Sequence, residues 1–291
     1  MARSMTGFGS AEGPVAGGRL RFEVRSVNHR HLSVQCKVPS DLAHLEADIR
    51  ERLRLHMERG HATVSGRWVE PPPQAAQVAV DRERARAVVT ALREVGRELG
   101  VSGDVDLATV ARIPEVVRVV QEEVSLDAAQ VLEVLDRAAR ACVAMREREG
   151  AALVSDLAER TRALRELARR IAVRAPERLA AEKARLSRNV TELAGGIAVD
   201  PARLAQEVAF LADRLDITEE LVRFESHCAA VEQSLANGTE AIGKRLGFLL
   251  QELGREVNTM GSKANDVAIT EAVIVMKGEL EKMREQVENL E

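Results

Sequence analysis

A long tract with a helical pattern and few helix breakers constrains this chain more than any other feature. Residues 127–189 are rich in Ala, Arg, Glu and Leu, and their apolar side chains recur at helical spacing along one narrow stripe. The stripe holds Val131, Leu135, Ala138, Cys142 and Met145, followed by Leu164, Leu167 and Ile171. A helix or helical hairpin this long and this narrowly striped cannot bury itself. We therefore predict an arm that packs against another subunit or the last domain, broken or kinked at Pro176.

The residues near the amino terminus have the period of strands instead. Over residues 19–25 apolar and charged side chains alternate, which predicts a half-buried strand with its arginines on one face. Gly17-Gly18 favours a hairpin between this strand and an earlier one over residues 5–11.

Two more strands, residues 31–38 and 62–68, are predicted on either side of a helix. Ser40 or Asp41 is placed to cap that helix. The proline run at residues 71–73 should end the sheet and mark a linker, and from Asp81 onward the pattern is almost entirely helical.

The last helix is the clearest prediction. Seven apolar residues follow a strict 4,3 spacing over three heptads: Ile269, Val273, Met276, Leu280, Met283, Val287 and Leu290. One seam of this helix should therefore face a partner helix along its whole length. Upstream, two helical stripes over residues 204–215 and 217–235 meet at a phase break, where Asp216-Ile217-Thr218-Glu219 has the spacing of a capping box.

These patterns predict the α+β class. We expect an amino-terminal domain of mixed strands and helices over residues 1–150, which carries the basic strand region. A helical arm follows over residues 151–199, and a mainly α-helical carboxy-terminal domain with the charged sequence blocks occupies residues 200–291.

Composition excludes several classes of protein. No stretch is apolar for long enough to span a bilayer, and the first nine residues hold no apolar run of signal-peptide length, so we predict a cytoplasmic protein without a membrane partner. Cys36, Cys142 and Cys228 are isolated from one another and from any His-rich segment. Neither a disulfide framework nor a zinc site is indicated, and reduced core thiols are expected.

The net charge of −4 conceals two ends of opposite sign. Residues 1–70 hold 11 Lys and Arg against 8 Asp and Glu, whereas residues 200–291 hold 10 against 18. Five of the six histidines also lie in the first 61 residues, which makes the amino-terminal part the better candidate for phosphate contact. The acidic end needs cations, and arginines of neighbouring subunits, a divalent metal or solvent counterions would each suffice.

Carboxylates on separate helices are the ligands that Mg²⁺ and Mn²⁺ require. The candidates for a metal site are Asp213, Asp216, Glu220, Glu252 and Glu256, of which the last two are one helical turn apart. Bound metal would lower the pKa of a water and neutralise a phosphate. In the alternative interpretation each carboxylate pairs with an arginine, and Arg214, Arg223, Arg255 and Arg284 are sufficient in number.

Histidine offers a route without metal. His29 or His31 could take a proton from a ribose 2′-OH while Arg25, Arg30 or His227 holds the phosphate. Glu220, Arg223 and His227 follow one another at one-turn spacing, so that trio could equally be a hydrogen-bonded strut.

Two further residues are ambiguous. Lys263, shortly before the last helix, could hold a phosphate. Phe248 lies on the polar face of its helix, where it enters either a subunit interface or a groove in which a base stacks. Aromatic residues are few and tyrosine is absent, so recognition by backbone and shape is favoured over sequence-specific stacking.

Several sequence blocks, in order along the chain, resemble the YicC/YloC family of bacterial endoribonucleases. They are Ser4-Met5-Thr6-Gly7-Phe8-Gly9, Glu23-Val24-Arg25-Ser26-Val27-Asn28-His29-Arg30, the charged runs over residues 213–223 and 243–259, and the run over residues 279–291. The resemblance implies endoribonuclease activity, metal dependence and a hexameric ring. Gly247 departs from it, because many relatives are expected to carry Asp at that position.

The hypothesis is thus an endoribonuclease that cuts RNA within a ring-like homo-oligomer, assisted by Mn²⁺ or Mg²⁺. Glu220, His227, Glu252 and Glu256 are the candidate catalytic residues. The candidate RNA contacts are Arg25, His29, Arg30, Arg223, Arg245, Arg255 and Lys263. Two alternatives stay open: a non-catalytic oligomeric RNA-binding or scaffold protein, and a metal-free ribonuclease that depends on histidine.

Overall fold

A computed structural model describes residues 2–29, 31–73, 76–121, 126–193, 195, 200–237 and 242–291. Its amino-terminal part is built on a four-stranded sheet of order β1-β2-β4-β3. The strands are β1 Gly7–Val15, β2 Gly18–Val27, β3 Ser33–Lys37 and β4 His61–Glu70. β1 and β4 each pair antiparallel with β2, whereas β3 runs parallel to β4. All four predicted strands are confirmed.

The alternation along β2 sets which face of the sheet is buried. Leu20, Phe22 and Val24 are fully buried, while Arg19 and Arg25 point from the other face into solvent. The β1–β2 turn contains Ala16 and Gly17, both with positive φ, a backbone conformation that glycine adopts without strain.

The helix predicted between β3 and β4 begins differently from the expectation. A 3-10 helix over Ser40–Leu45 precedes α1, Glu46–Arg54, and no side chain caps either of them. The predicted cap by Ser40 or Asp41 is therefore wrong. Asp41 instead accepts a hydrogen bond from Trp68 Nε1 at 2.7 Å, which ties this segment to β4.

The long tract forms α4, a helix of 66 residues over Ala128–Leu193, which joins two hydrophobic cores. Its first half packs beneath β1 at very close range. Gly9 makes this possible, because a Cβ there would collide with the backbone of Ala138. Farther along, Leu157, Leu164 and Ile171 of the same helix pack among the carboxy-terminal helices. The predicted arm is thus a spine shared by both halves of the chain.

Pro176 lies inside α4, so the helix is not broken there. Proline within a helix costs about 3 kcal/mol or more, and packing on both sides offsets that cost. Ile171 is buried before the proline, and Arg178 is buried after it. The Arg178 guanidinium donates to the carbonyls of Leu215, Lys263 and Ala264, where two other helices end. A cation at helix carboxyl ends is favourable, although burial lowers the pKa of Arg178.

Three helices complete the second core: α6 Thr218–Asn237, α7 Ile242–Ala264 and α8 Val267–Val287. A further helix, α5 Pro201–Leu215, contacts α4 and α7 but contributes no residue to this core. α6 and α7 run antiparallel, as the contact between Lys263 near the end of α7 and Glu220 near the start of α6 shows. The seven apolar residues of the predicted heptad seam are all buried, and α8 packs on α7 and α4 of the same chain. The seam is confirmed.

Between the last strand of the sheet and α4, the chain forms a small unit of two strands and two helices. It consists of β5 Ala76–Val80, α2 Arg82–Leu99, α3 Leu107–Ala111 and β6 Val117–Gln121, with β5 and β6 paired antiparallel. Asp81 caps α2 through the N–H of Arg84, and Gly100 ends it with φ +68°. The expectation of an almost entirely helical chain from Asp81 onward missed β6, and β5, which ends just before Asp81, was not predicted.

The α+β class is confirmed. The boundary predicted at residue 150 falls inside α4, so one helix belongs to both halves. Among the described residues, the helices are either too short or too polar to cross a membrane.

Candidate functional site

Segments near the two ends of the chain pair as a short antiparallel bridge. The N–H of Arg3 donates to the Glu291 carbonyl at 2.7 Å, and the N–H of Glu291 donates back to Arg3 at 2.8 Å. The N–H of Met5 donates to the Asn289 carbonyl at 2.8 Å. Because residues 289–291 follow α8 directly, this bridge holds the carboxy-terminal helices against the sheet domain.

An open cleft of about 690 Å³ lies beside this bridge, and we call it the interdomain cleft. Both halves of the chain contribute to its wall: Met5, Asn28, Arg59, Gly243, Lys244, Gly247, Gln251, Arg284, Val287, Glu288, Leu290 and Glu291. Asn28 Nδ2 donates to the Glu288 carbonyl at 2.7 Å, which joins the end of β2 to the end of α8. The cleft therefore depends on the contact between the two halves.

The floor of the interdomain cleft is a bare face of α7. Gly243, Gly247 and Gln251 recur every four residues and so share one side of the helix. At Gly243 a Cβ would lie 2.6 Å from the Leu290 carbonyl oxygen, so only glycine lets the helix approach so closely. At Gly247 a Cβ would meet no atom within 4 Å, so the space above this residue is open. The absence of a side chain at Gly247 thus leaves this part of the cleft open.

The polar groups of the interdomain cleft suit a polyanion. Arg59 comes from the sheet domain, and Lys244 and Arg284 come from the carboxy-terminal helices. Arg284 pairs with Glu281 at 3.4 Å on the surface, an exposed pair worth about 0–1 kcal/mol that a phosphate can displace. Glu288 adds a carboxylate able to accept a proton, so binding and proton-transfer groups share one space.

The predicted amino-terminal contacts lie close to this cleft. Arg25 projects from the open face of the sheet, with its guanidinium carbon 5.4 Å from the ring centroid of Phe8. His29 follows Asn28, and its Nδ1 lies 2.8 Å from the His31 carbonyl. Arg30 was predicted with them but lies outside the described residues.

The predicted catalytic carboxylates of α7 lie on another flank of that helix. At about 100° per residue, Glu252 and Glu256 are roughly 140° and 180° from Gly247, so neither lines the interdomain cleft. Glu252 bonds to Arg255 at 3.1 Å. Glu256 is buried, and within the described part of the chain its carboxylate has no ion pair or hydrogen bond. Arg245, another predicted RNA contact, is exposed.

The start of α6 is held by a local network. Lys263 Nζ donates to Glu220 Oε1 at 2.7 Å and to the Asp216 carbonyl at 2.9 Å, and the other carboxylate oxygen of Glu220 is buried without a partner. Asp216 accepts hydrogen bonds from the hydroxyl and the N–H of Thr218, and these bonds lower the pKa of Asp216. Asp216 and Glu220, two predicted metal ligands, and Lys263, a predicted phosphate contact, thus stabilise the junction at the start of α6.

The other predicted residues of α6 do not form the expected groupings. Arg223 pairs with Glu219, so the strut predicted for Glu220, Arg223 and His227 is wrong. Because Glu219 pairs with Arg223, its carboxylate does not accept a hydrogen bond from the backbone N–H of Asp216. The predicted capping box is therefore only half formed. His227 is partly exposed on α6, and Asp213 is exposed near the end of α5.

The metal ligands predicted from sequence are not brought together within one chain. Asp213, Asp216, Glu220, Glu252 and Glu256 are spread over α5, α6 and α7 and their junctions. In the described ranges, no group of three or more His, Cys, Asp or Glu side chains is placed to hold a metal ion. The described part of one chain therefore contains no preformed cluster of protein ligands for Mn²⁺ or Mg²⁺.

Sequence reasoning missed three cations of the interdomain cleft as ligand contacts: Arg59, Lys244 and Arg284. The four-residue recurrence of small residues at Gly243 and Gly247 was a usable signal, because it indicates a helix face that something approaches closely. No local pattern distinguishes Arg59 from the other arginines of its segment.

Comparison with known proteins covers nearly the whole chain. Residues 2–155 match the family described as "Endoribonuclease YicC-like, N-terminal region", and residues 171–291 match "Endoribonuclease YicC-like, C-terminal". A protein of Clostridioides difficile named "Probable endoribonuclease YicC" is 30% identical over 294 residues. A protein of the same name from Haemophilus influenzae is 32% identical over 292 residues, and both alignments span 100% of each chain. The chain belongs to the YicC-like endoribonuclease family.

Proposed function

We propose that this chain is an endoribonuclease that binds RNA in the interdomain cleft and cuts its phosphodiester backbone there. The observation that carries the proposal is the convergence of Arg59, Lys244 and Arg284, from both halves of the chain, around an open space. Full-length relatives named as probable endoribonucleases support RNA as the substrate.

In this proposal the three cations bind phosphates and stabilise the negative charge that builds up as the phosphodiester is attacked. Neutralising Lys244 tests the binding role. Lys244→Gln should weaken binding of a labelled RNA hairpin and reduce the salt dependence of binding by about one charge. Lys277→Gln is the matched control, because Lys277 is an exposed lysine of α8 that does not line the cleft. Equal losses in both variants would contradict a role for the cleft.

Glu288 is the cleft carboxylate that we propose as proton acceptor. Its backbone carbonyl is held by Asn28, which positions the residue, while its side chain is exposed to the cleft. Glu288→Gln should lower the cleavage rate by about 10²–10⁴-fold, the usual contribution of a general base. Glu285→Gln, one turn earlier and exposed, should cut as the wild type does.

Glu252 and Glu256, with Glu220 and His227, form the competing catalytic set. The one-turn spacing of Glu252 and Glu256 on α7 supports it, because two carboxylates at that spacing lie on one side of the helix. If Glu252→Gln or Glu256→Gln abolishes cleavage while Glu288→Gln does not, catalysis belongs to that flank of α7. Dissociation of the oligomer in the same variants would instead assign these residues to a subunit contact.

A homo-oligomer, ring-like and hexameric as the family resemblance implies, is part of the proposal. Large exposed apolar side chains support it, namely Phe210 on α5, Val222 on α6, Phe248 on α7 and Ile274 on α8. Metal assistance by Mn²⁺ or Mg²⁺ is a further part of the proposal, and it does not need a cluster of three protein ligands, because Mg²⁺ is usually held by one or two carboxylates together with substrate phosphates. The roles proposed for the cleft residues do not depend on the metal.

Histidine provides the other metal-free route. The rings of His29 and His61 lie 6.4 Å apart beside the cleft residue Asn28. Purified protein should be incubated with a hairpin RNA with and without EDTA, and the product ends analysed. Equal cleavage with 2′,3′-cyclic phosphate ends would favour histidine, and loss of cleavage in EDTA would favour metal. Binding without cleavage in either condition would favour the non-catalytic scaffold.

A further inference from the structure

A second hollow of about 850 Å³ lies at the β1 edge of the sheet, and we call it the Phe8 groove. The ends of β1 and β2 and one turn of α4 line it: Thr6, Gly7, Phe8, Arg25, Ser26, Val27, Met145, Arg148 and Glu149. None of these residues takes part in the interdomain cleft.

Close packing beneath β1 forces the aromatic ring of Phe8 outward. Gly7 and Gly9 face α4, where a Cβ would collide with Arg146 or with the backbone of Ala138. Side chains alternate along a strand, so Phe8 must point to the opposite, solvent side. Its exposed fraction is 39%, although the whole chain has only five phenylalanines. The Arg25 guanidinium carbon lies over this ring, 5.4 Å from its centroid, an exposed contact worth about 0.5–1 kcal/mol that a stacked ligand can displace.

Charge in the Phe8 groove favours an anion. Arg148 is exposed, and its only hydrogen bond among the described residues is to the Ala144 carbonyl of its own helix, at 3.4 Å. Arg25 lies 3.9 Å from Glu23, a long and exposed pair that contributes little. The carboxylate of Glu149 already accepts hydrogen bonds from Thr6 Oγ1 at 3.0 and 3.1 Å. Two cations therefore face the groove with one carboxylate that is already bonded.

The Phe8 groove adjoins the interdomain cleft. Met5 and Asn28 line the cleft, while their neighbours in sequence, Thr6 and Val27, line the groove. A polynucleotide that lies in the cleft can thus pass over these two segments into the groove.

We propose that the Phe8 groove holds one unpaired base of the RNA, stacked on the Phe8 ring. Val27 and Met145 supply apolar surface around the base, and Arg25 and Arg148 bind the adjacent phosphate. This inference rests on the proposed function and names its substrate class, an RNA with an unpaired nucleotide beside the cleavage site. Stacking on a phenyl ring accepts any base, so the groove selects an unpaired nucleotide without selecting its identity.

The test uses the full-length protein and nuclease-resistant 2′-O-methyl hairpins that carry 2-aminopurine at one unpaired position each. Wild-type protein should quench the 2-aminopurine fluorescence at one of these positions, because stacking on an aromatic ring quenches it. Phe8→Ala should remove the quenching and weaken binding roughly 5- to 150-fold. Phe8→Trp should keep both, since indole preserves the stacking surface.

Arg148→Gln provides an independent variant with a matched control. Arg162 lies on the same helix, is exposed, and makes the same contact to the carbonyl four residues earlier, Ala158, at 3.4 Å. Arg148→Gln should weaken binding and reduce the salt dependence by about one charge, whereas Arg162→Gln should bind as the wild type does.

Two outcomes would overturn the inference. If wild-type protein binds and cuts RNA while Phe8→Ala quenches and binds equally well, the groove holds no base, and the proposed function stands. If wild-type protein neither binds nor cuts any hairpin, the groove and the proposed function fail together. A blunt duplex whose binding depends equally on Phe8 would also overturn the assignment to an unpaired base.

Discussion

Arg146 donates from Nε to the backbone carbonyl of Ser4 at 2.7 Å, from a position on α4 where its side chain is almost completely buried. The same guanidinium pairs with Glu291. One side chain therefore fastens the middle of the chain to both partners of the bridge that borders the interdomain cleft. The cleft exists because this three-way contact holds the two halves in register.

Arg146→Ala should destabilise the protein by about 2–4 kcal/mol, because it leaves a buried carbonyl and a carboxylate without their partner. Urea denaturation followed by circular dichroism measures the change. Arg140→Ala is the control, since Arg140 is exposed on the same helix and should shift stability by no more than about 0.5 kcal/mol. Equal stability of both variants would show that the contact does not hold the halves together.

Gly243 and Gly247, one turn apart on α7, should respond in opposite directions to alanine. Gly247→Ala gains helix propensity in open space and should stabilise the protein by about 0.5–1 kcal/mol. Gly243→Ala brings a Cβ to 2.6 Å from the Leu290 carbonyl oxygen and should destabilise it by about 1–3 kcal/mol. Thermal unfolding of the two variants measures the difference, and shifts of the same sign would contradict the close approach of α7 to Leu290.

A carboxylate at Gly247 should weaken RNA binding. Gly247→Glu places a negative charge beside Lys244 and Arg284 in the interdomain cleft, and we expect a loss of about tenfold in affinity at low salt. Gly278→Glu adds the same charge at an open position on α8 that does not line the cleft, and should bind nearly as the wild type does. Fluorescence anisotropy with a labelled hairpin distinguishes the two, and an equal loss in both would indicate only a general charge effect.

The cap of α6 should contribute stability that depends on pH. Hydrogen bonds from Thr218 lower the pKa of Asp216 below its ordinary value of 3.8. Because the folded-state pKa is lowered, the contribution is complete above pH 3.8 and is lost as the pH falls through the folded value. Asp216→Ala should therefore cost about 0.5–2 kcal/mol at pH 7 and much less near pH 2. Urea titrations at both pH values test this, and a constant difference would show that the carboxylate charge is unimportant.

Thiol reagents should reach the three cysteines in a fixed order. Burial raises the pKa of Cys142 to about 11 and that of Cys228 to about 12, so both are protonated and shielded at pH 8. Cys36 on β3 is only partly buried, and we expect it to be labelled first. Peptide mapping after brief iodoacetamide treatment identifies the site, and early labelling of Cys228 would contradict the packing of α6.

Predictions from local periodicity succeeded where one face of an element is buried. The alternation in β2 and the heptad seam of α8 are both read directly from neighbouring residues, because burial of one face imposes its period on the sequence. At Pro176 the local preference for ending a helix was outweighed by tertiary contacts of Ile171 and Arg178, so α4 continues through the proline.

The candidate site was only partly foreseeable. Charged blocks on α6 and α7 are conspicuous in the sequence, yet Glu220 and Lys263 serve a helix junction, and Glu252 faces away from the interdomain cleft. Sequence spacing places residues on one helix face but does not state which face another domain approaches.

Local order along the chain was therefore legible in its amino acids: the four strands of the first sheet, the long spine α4, the buried seam of α8 and the membership in a family of RNA-cutting enzymes. The convergence of Arg59, Lys244 and Arg284 was not, because these residues lie far apart in sequence and meet only when α4 joins two cores and residues 3–5 pair with residues 289–291. Periodicity encodes which side of an element avoids water, whereas the position of one element against another is the result of packing between distant parts of the chain.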